Sequence, residues 1–162
     1  MPEVFYALIN RKYYKTKKEP ACFDKRNNFT SKGISMNFLA HAFLSGDDDQ
    51  LLVGNITGDT IRSIHLKDFP ERIRKGVLLH HAIDKFTDSH VEVKKCKQLL
   101  TPYFNKYAGV ASDVFFDHFL SVNWKEYSQK NREEYIRYIH NCLLKYRNLL
   151  PEKTNYFIHF II

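Results

Sequence analysis

The 162-residue chain is short of glycine (6) and proline (5), so it lacks the turn residues that a fold of many short strands requires. Long apolar runs are missing too. A membrane-spanning helix needs about 20 consecutive apolar residues, and no such stretch occurs. Cysteine is scarce and odd in number. Cys22, Cys96 and Cys142 fit neither a disulfide framework nor the paired spacing of a zinc site, and read as reduced thiols of a cytoplasmic protein. What the chain does have is apolar and aromatic material: 44% of residues are hydrophobic, with 13 Phe and 10 Tyr. That is enough for one all-α domain with a real core.

The formal charge of +7 invites a nucleic-acid reading, but its distribution argues against one. Residues 1–35 hold eight Lys/Arg against Glu3, Glu19 and Asp24, whereas the other 127 residues hold 17 basic and 15 acidic side chains. A basic tail is not a basic binding face, so no nucleic-acid partner is expected. Residues 1–35 are apolar only over Val4–Ile9 and then become rich in Lys, Asn and Thr without period. The order of charge and apolar core is the reverse of a signal peptide. The expectation is a disordered extension, with natural translation starting at Met36. A native protein whose mass begins at Met1 would refute that start site.

Order begins at Met36. Asn37–Leu44 reads as a short apolar helix around His41. Gly46-Asp47-Asp48-Asp49 lacks the alternating ligands and closing glutamate of a calcium loop, and reads as a turn leading into a helix cap. A second helix is expected over Gln50–Arg62. Gly54 and Gly58 inside it would each cost about 1 kcal/mol in a helix, which points to close helix approach or to backbone access for a ligand beside Asp59. Residues 65–70 form a linker to Pro70, and Glu71–Ser89 is the central helix. A further amphipathic helix covers His90–Tyr107, interrupted at Pro102, with Leu99, Leu100 and Phe104 as core candidates. Asp113–Trp124 is apolar apart from Asp113, Asp117 and His118. Asn131–Leu150 places Tyr135, Tyr138, Ile139, Cys142, Leu143 and Tyr146 at helical spacing, a core pattern that Pro151 ends.

The chemistry concentrates in the central helix. His80, Asp84 and Asp88 follow one another at i, i+4, so their side chains line one face, while Val77, Leu78, Ile83 and Phe86 supply apolar surface. A second cluster of the same kind is Asp113-Val-Phe-Phe-Asp117-His118. A buried carboxylate without a partner costs several kcal/mol, so Asp residues in apolar helices should be paired or metal-bound. Imidazole nitrogen together with carboxylate oxygen favours Mn²⁺, Mg²⁺, Fe²⁺ or Zn²⁺ over calcium, and such an ion suits hydrolysis of a phosphate ester. The residues alone leave two readings open: a metal-dependent hydrolase, or a helical domain with satisfied buried polar groups.

Met36-Asn-Phe-Leu-Ala-His41, Gly54-Asn55-x-x-Gly58-Asp59, His80-x-x-Ile83-Asp84-x-x-Thr87-Asp88 and Asp113-Val114-x-x-Asp117-His118-Phe119-Leu120, with Trp124, resemble in order and spacing the motifs of the acyl carrier protein phosphodiesterases. The resemblance runs from Met36 to about Pro151. It implies an HD-domain-like helical bundle over 36–150 that hydrolyses the phosphopantetheine–serine phosphodiester of holo-acyl carrier protein with Mn²⁺. Carried onto this chain, it implies a metal shell of Asp59, His80, Asp84 and Asp117. It makes His118 a general acid or base or a ligand-orienting group, His41 a ligand or a hydrogen-bonded support of one, and Asp88 such a support. Arg62 is implied as a phosphate contact, and Arg72, Arg74, Lys75 and Lys85 as cations facing an acidic partner. Two alternatives accompany it: a phosphohydrolase of nucleotides or small phosphoesters, and an inactive remnant. The chain departs from the family at His81, where Arg is frequent, at Asn123, and at its apolar end. There 151–162 reads as an irregular or truncated tail that would leave apolar helix faces uncovered.

Overall fold

The computed structural model describes residues 37–61 and 63–161. Among them there is no strand. The helices are α1 (Phe38–Leu44), α2 (Asp49–Ile56), α3 (Glu71–Ser89), α4 (Val91–Phe104), α5 (Ala108–Val122), α6 (Trp124–Tyr127), α7 (Arg132–Tyr146) and α8 (Glu152–Ile161), joined in part by short 3₁₀ turns. The fold is all-α, as expected. The expected extension over 1–35 lies outside the described residues.

The helix ends follow from local chemistry. Gly46, at φ +65°, reverses the chain after α1. Asp48 Oδ1 then accepts the Leu51 N–H at 2.8 Å and starts α2, which is the capping role expected of the acidic run. Pro70 precedes α3, and Glu71 lies in its first turn, where a negative charge suits the helix dipole. His90 ends α3 and caps α4, its Nδ1 accepting from Glu92 N–H. Asn131 caps α7 through the Glu134 N–H at 3.1 Å.

Among the described residues the most extensive helix contact is α2 against α3. A Cβ placed on Gly54 would stand 2.1 Å from the Ile73 carbonyl oxygen, and one on Gly76 would stand 2.2 Å from that of Leu51. The two helices therefore touch backbone to backbone. Around this crossing Leu52, Val53, Ile73 and Val77 are fully or almost fully buried, each contributing about 1.5–3 kcal/mol. The core continues through Trp124, Tyr135, Ile139, Cys142 and Leu143, as the period of α7 suggested. Trp124 meets Phe43 edge-on and Tyr135 at 5.0 Å. Asp49 ties α2 to α7 by accepting from Tyr138 Oη and Lys145 Nζ. Burial pushes the Cys142 thiol up to about 11, and Cys142 and Cys96 are both free.

Three expectations are corrected. α2 stops at Ile56, because the chain tightens into the 3₁₀ turn Gly58–Thr60 while Thr57 Oγ1 donates back to the Val53 carbonyl. Leu99 and Phe104 are exposed, and Val93 is the buried residue of α4. α4 packs mainly on α5, and Val114, Phe115, Phe119 and Val122 of α5 are exposed as well. Finally, the tail is helical. Thr154 and Ile158, one turn apart on α8, are buried, and Thr154 Oγ1 bonds to Thr60 Oγ1 at 2.8 Å.

Candidate metal centre

Two helices and one turn assemble the polar heart of the molecule. α1 supplies His41, α3 supplies His80 and Asp84, and the 3₁₀ turn after α2 supplies Asp59. His41 and His80 are buried, at 1% and 2% exposure, and their rings stack with centroids 4.4 Å apart. Gly58 makes room for this: a Cβ there would fall 2.4 Å from His80 Cγ.

Each ring turns Nδ1 inward to the same residue. His41 Nδ1 lies 2.8 Å from Asn55 Oδ1, and His80 Nδ1 lies 2.7 Å from the Asn55 main-chain oxygen. Each ring turns Nε2 toward carboxylate. His41 Nε2 is 3.3 Å from Asp84 Oδ1, while His80 Nε2 is 3.2 Å from both Asp84 Oδ2 and Asp59 Oδ1. Despite that proximity neither buried Nε2 makes a hydrogen bond. One ligand atom each from His41, His80 and Asp84 lie within 4.8 Å of one another. Two buried nitrogens facing carboxylate oxygens without a bond between them form a donor set that fits a divalent cation. Burial opposes charge on the His80 ring, but Asp59 and Asp84 outweigh it and raise its proton affinity above the ordinary histidine value. Half-buried His81 meets His80 edge-on at 5.5 Å. Burial and then His80 push its pKa down.

The structure thus brings together His41, Asp59, His80 and Asp84. Asp117 sits elsewhere than expected. Its two oxygens accept the N–H groups of Leu39 and Ala40, both at 2.9 Å, so it caps α1 from α5 in place of Asn37, whose side chain makes no cap bond. Burial pushes the Asp117 carboxyl up to about 7 against the pull of those two amides. Asp88 is exposed and paired with Lys97, because α3 carries it past the buried turn to the helix end. His118 is exposed, its ring edge-on to its neighbour Phe119, since the buried side of α5 runs through Ser112 and Leu120. Neither belongs to the ligand group. Arg62 lies outside the described residues. Arg72 pairs with Asp48 and Lys75 with Glu71. Asn55, which the motif contains without a role, is fully buried here; the sequence signal for a role is an amide between two glycines in an apolar helix.

The sequence profile of the acyl carrier protein phosphodiesterases matches residues 36–162. The chain belongs to this family. It is 34% identical over 125 residues to the acyl carrier protein phosphodiesterase of Klebsiella pneumoniae, covering 76% of this chain and 63% of that protein. The enzyme of the same name from Pectobacterium atrosepticum is 36% identical over 89 residues, covering 55% of this chain and 46% of that protein. That of Escherichia coli is 30% identical over 125 residues, with 76% and 63% covered. The chain therefore spans a little under two thirds of the length of such phosphodiesterases. No solved structure matches it. No helix among the described residues is long and apolar enough to cross a membrane.

Proposed function

We propose that this chain is a cytoplasmic, divalent-metal phosphodiesterase of holo-acyl carrier protein. In this reading it hydrolyses the bond between phosphopantetheine and the carrier serine, with Mn²⁺ as the preferred ion and Mg²⁺, Fe²⁺ or Zn²⁺ as substitutes. The observation that carries the proposal is the pair of buried, unbonded Nε2 atoms aimed at Asp84, in a chain of that family. His41, His80 and Asp84 would hold the cation, with Asp59 against His80. A bound divalent cation supplies charge neutralisation at the phosphate and activates water for attack on phosphorus.

The chain's own residues do the rest. The stacked imidazoles and Asn55 exclude solvent from the inner side of the centre, since all three are buried. Asp84, about one third exposed, marks the open side from which a phosphodiester would approach. Lys85, the next residue on α3, is exposed and would offer a cation to an acidic carrier surface.

The test is metal analysis of the purified chain, followed by incubation with holo-acyl carrier protein and Mn²⁺ and mass spectrometry of the carrier. One equivalent of metal and loss of the phosphopantetheine mass is the expected result. Turnover of nucleotides with an unchanged carrier would make it a phosphohydrolase of small esters instead. A folded chain with no metal and no turnover would overturn both readings.

A further inference from the structure

Both histidines of the centre are held by one residue, and the atoms that hold them define where their protons are. Asn55 is fully buried on α2. Its amide nitrogen donates to the His41 carbonyl oxygen at 2.7 Å and to Ser45 Oγ at 2.9 Å. A main-chain carbonyl can only accept, so the atom facing it is nitrogen, and the atom facing His41 Nδ1 is the amide oxygen. That oxygen also only accepts, which puts a proton on His41 Nδ1. His80 Nδ1 faces a second pure acceptor, the Asn55 main-chain oxygen, and must carry a proton as well. In a neutral imidazole with Nδ1 protonated, Nε2 is a bare lone pair. Both such lone pairs face Asp84.

We infer that Asn55 is the positioning residue of the metal centre: its side-chain oxygen fixes the tautomer of His41 and its main-chain oxygen that of His80, so that two Nε2 lone pairs are presented to one cation. The purpose of this arrangement rests on the metal reading above; the tautomers do not. The two locks differ in kind. The lock on His41 is a side chain and can be removed, whereas the lock on His80 is backbone and survives any substitution at position 55. A residue that merely filled space would affect both rings alike.

The test uses the full chain, metal-free and labelled with ¹⁵N in its imidazoles, at a pH high enough for both rings to be neutral. Long-range ¹H–¹⁵N spectra should show His41 and His80 both protonated at Nδ1. In Asn55→Leu, His41 should lose that single tautomer while His80 keeps it, and Mn²⁺ affinity should fall about 10- to 100-fold. Asn55→Asp keeps an acceptor opposite His41 and should keep its Nδ1 proton. An Nε2 proton on either ring of the unaltered chain overturns the proposal, as does an Asn55→Leu spectrum in which both rings change or neither does. Should Asn55→Leu fail to fold, the spectrum of the unaltered chain and that of Asn55→Asp still decide. Correct tautomers in a chain that binds no Mn²⁺ would overturn the metal reading and leave the tautomer assignment intact. Mn²⁺ binding with other tautomers would do the reverse.

Discussion

Two segments of this chain look alike as text and are used differently by the fold. His80-x-x-x-Asp84 on α3 and Asp113-x-x-x-Asp117 on α5 each place titratable groups one helical turn apart among apolar residues. On α3 the turn faces inward across the glycine crossing, where His41 arrives from α1 and Asp59 from the 3₁₀ turn. On α5 the same spacing meets the start of α1, and Asp117 meets two amide donors instead of two imidazoles. The difference lies in the partner that the tertiary structure brings. A carboxylate facing two buried, unbonded imidazole nitrogens suits a cation, whereas one facing helix N–H groups already has hydrogen-bond donors. α5 therefore supports the centre indirectly, by anchoring the helix that carries His41.

This contrast can be broken residue by residue. The largest effect is expected from Asp84→Ala, which removes the carboxylate shared by both histidines and should abolish stoichiometric metal binding measured by elemental analysis. Retained metal would refute the assignment of the centre. Gly54→Ala should be the most destabilising, by about 1–3 kcal/mol in chemical denaturation, because its methyl group would collide with the Ile73 carbonyl. Unchanged stability would show that α2 and α3 are not in backbone contact.

Asp117→Ala should cost about 0.5–2 kcal/mol, the value of a lost helix cap, while leaving metal stoichiometry near one. Loss of metal equal to that of Asp84→Ala would return Asp117 to the ligand shell. Asp117 also sets a pH dependence. Its folded carboxyl titrates at about 7 against about 3.9 for a free aspartate. Between those values the folded chain keeps a proton that the unfolded chain has released, so this group makes stability fall as pH rises from about 4 to 7 and level off above. Asp117→Asn should remove that slope, read from melting temperatures across the range. The smallest effect is expected from Asp88→Asn. It breaks an exposed pair with Lys97 worth under about 1 kcal/mol and should leave Mn²⁺ affinity unchanged.

The sequence disclosed the helices better than the surfaces they cover. α3 has the bounds that Pro70 and its periodicity dictate, and the acidic run after Gly46 caps α2 as its composition requires. The four residues that meet at the centre were all visible as polar groups in apolar helices. Their meeting was not, because spacing along one helix says which side chains share a face and nothing about what lies opposite. For the same reason spacing alone does not tell Asp117 from Asp84, and it assigns Leu99 and Phe104 to the core. Helical period aligns them, but α4 meets the rest of the molecule chiefly through Val93. Asn55 escaped notice because half of its work is done by a main-chain oxygen that every residue has.

Where α2 and α3 cross at Gly54 and Gly76, backbone meets backbone: a Cβ on either glycine would fall within 2.2 Å of a carbonyl oxygen of the other helix. The spacing there has no slack, and His80 is tied to the Asn55 backbone on one side of that seam. A centre mounted on such a seam cannot widen for a larger ion by repacking. Across a series of divalent cations of increasing radius, affinity should drop as a step rather than decline as a slope.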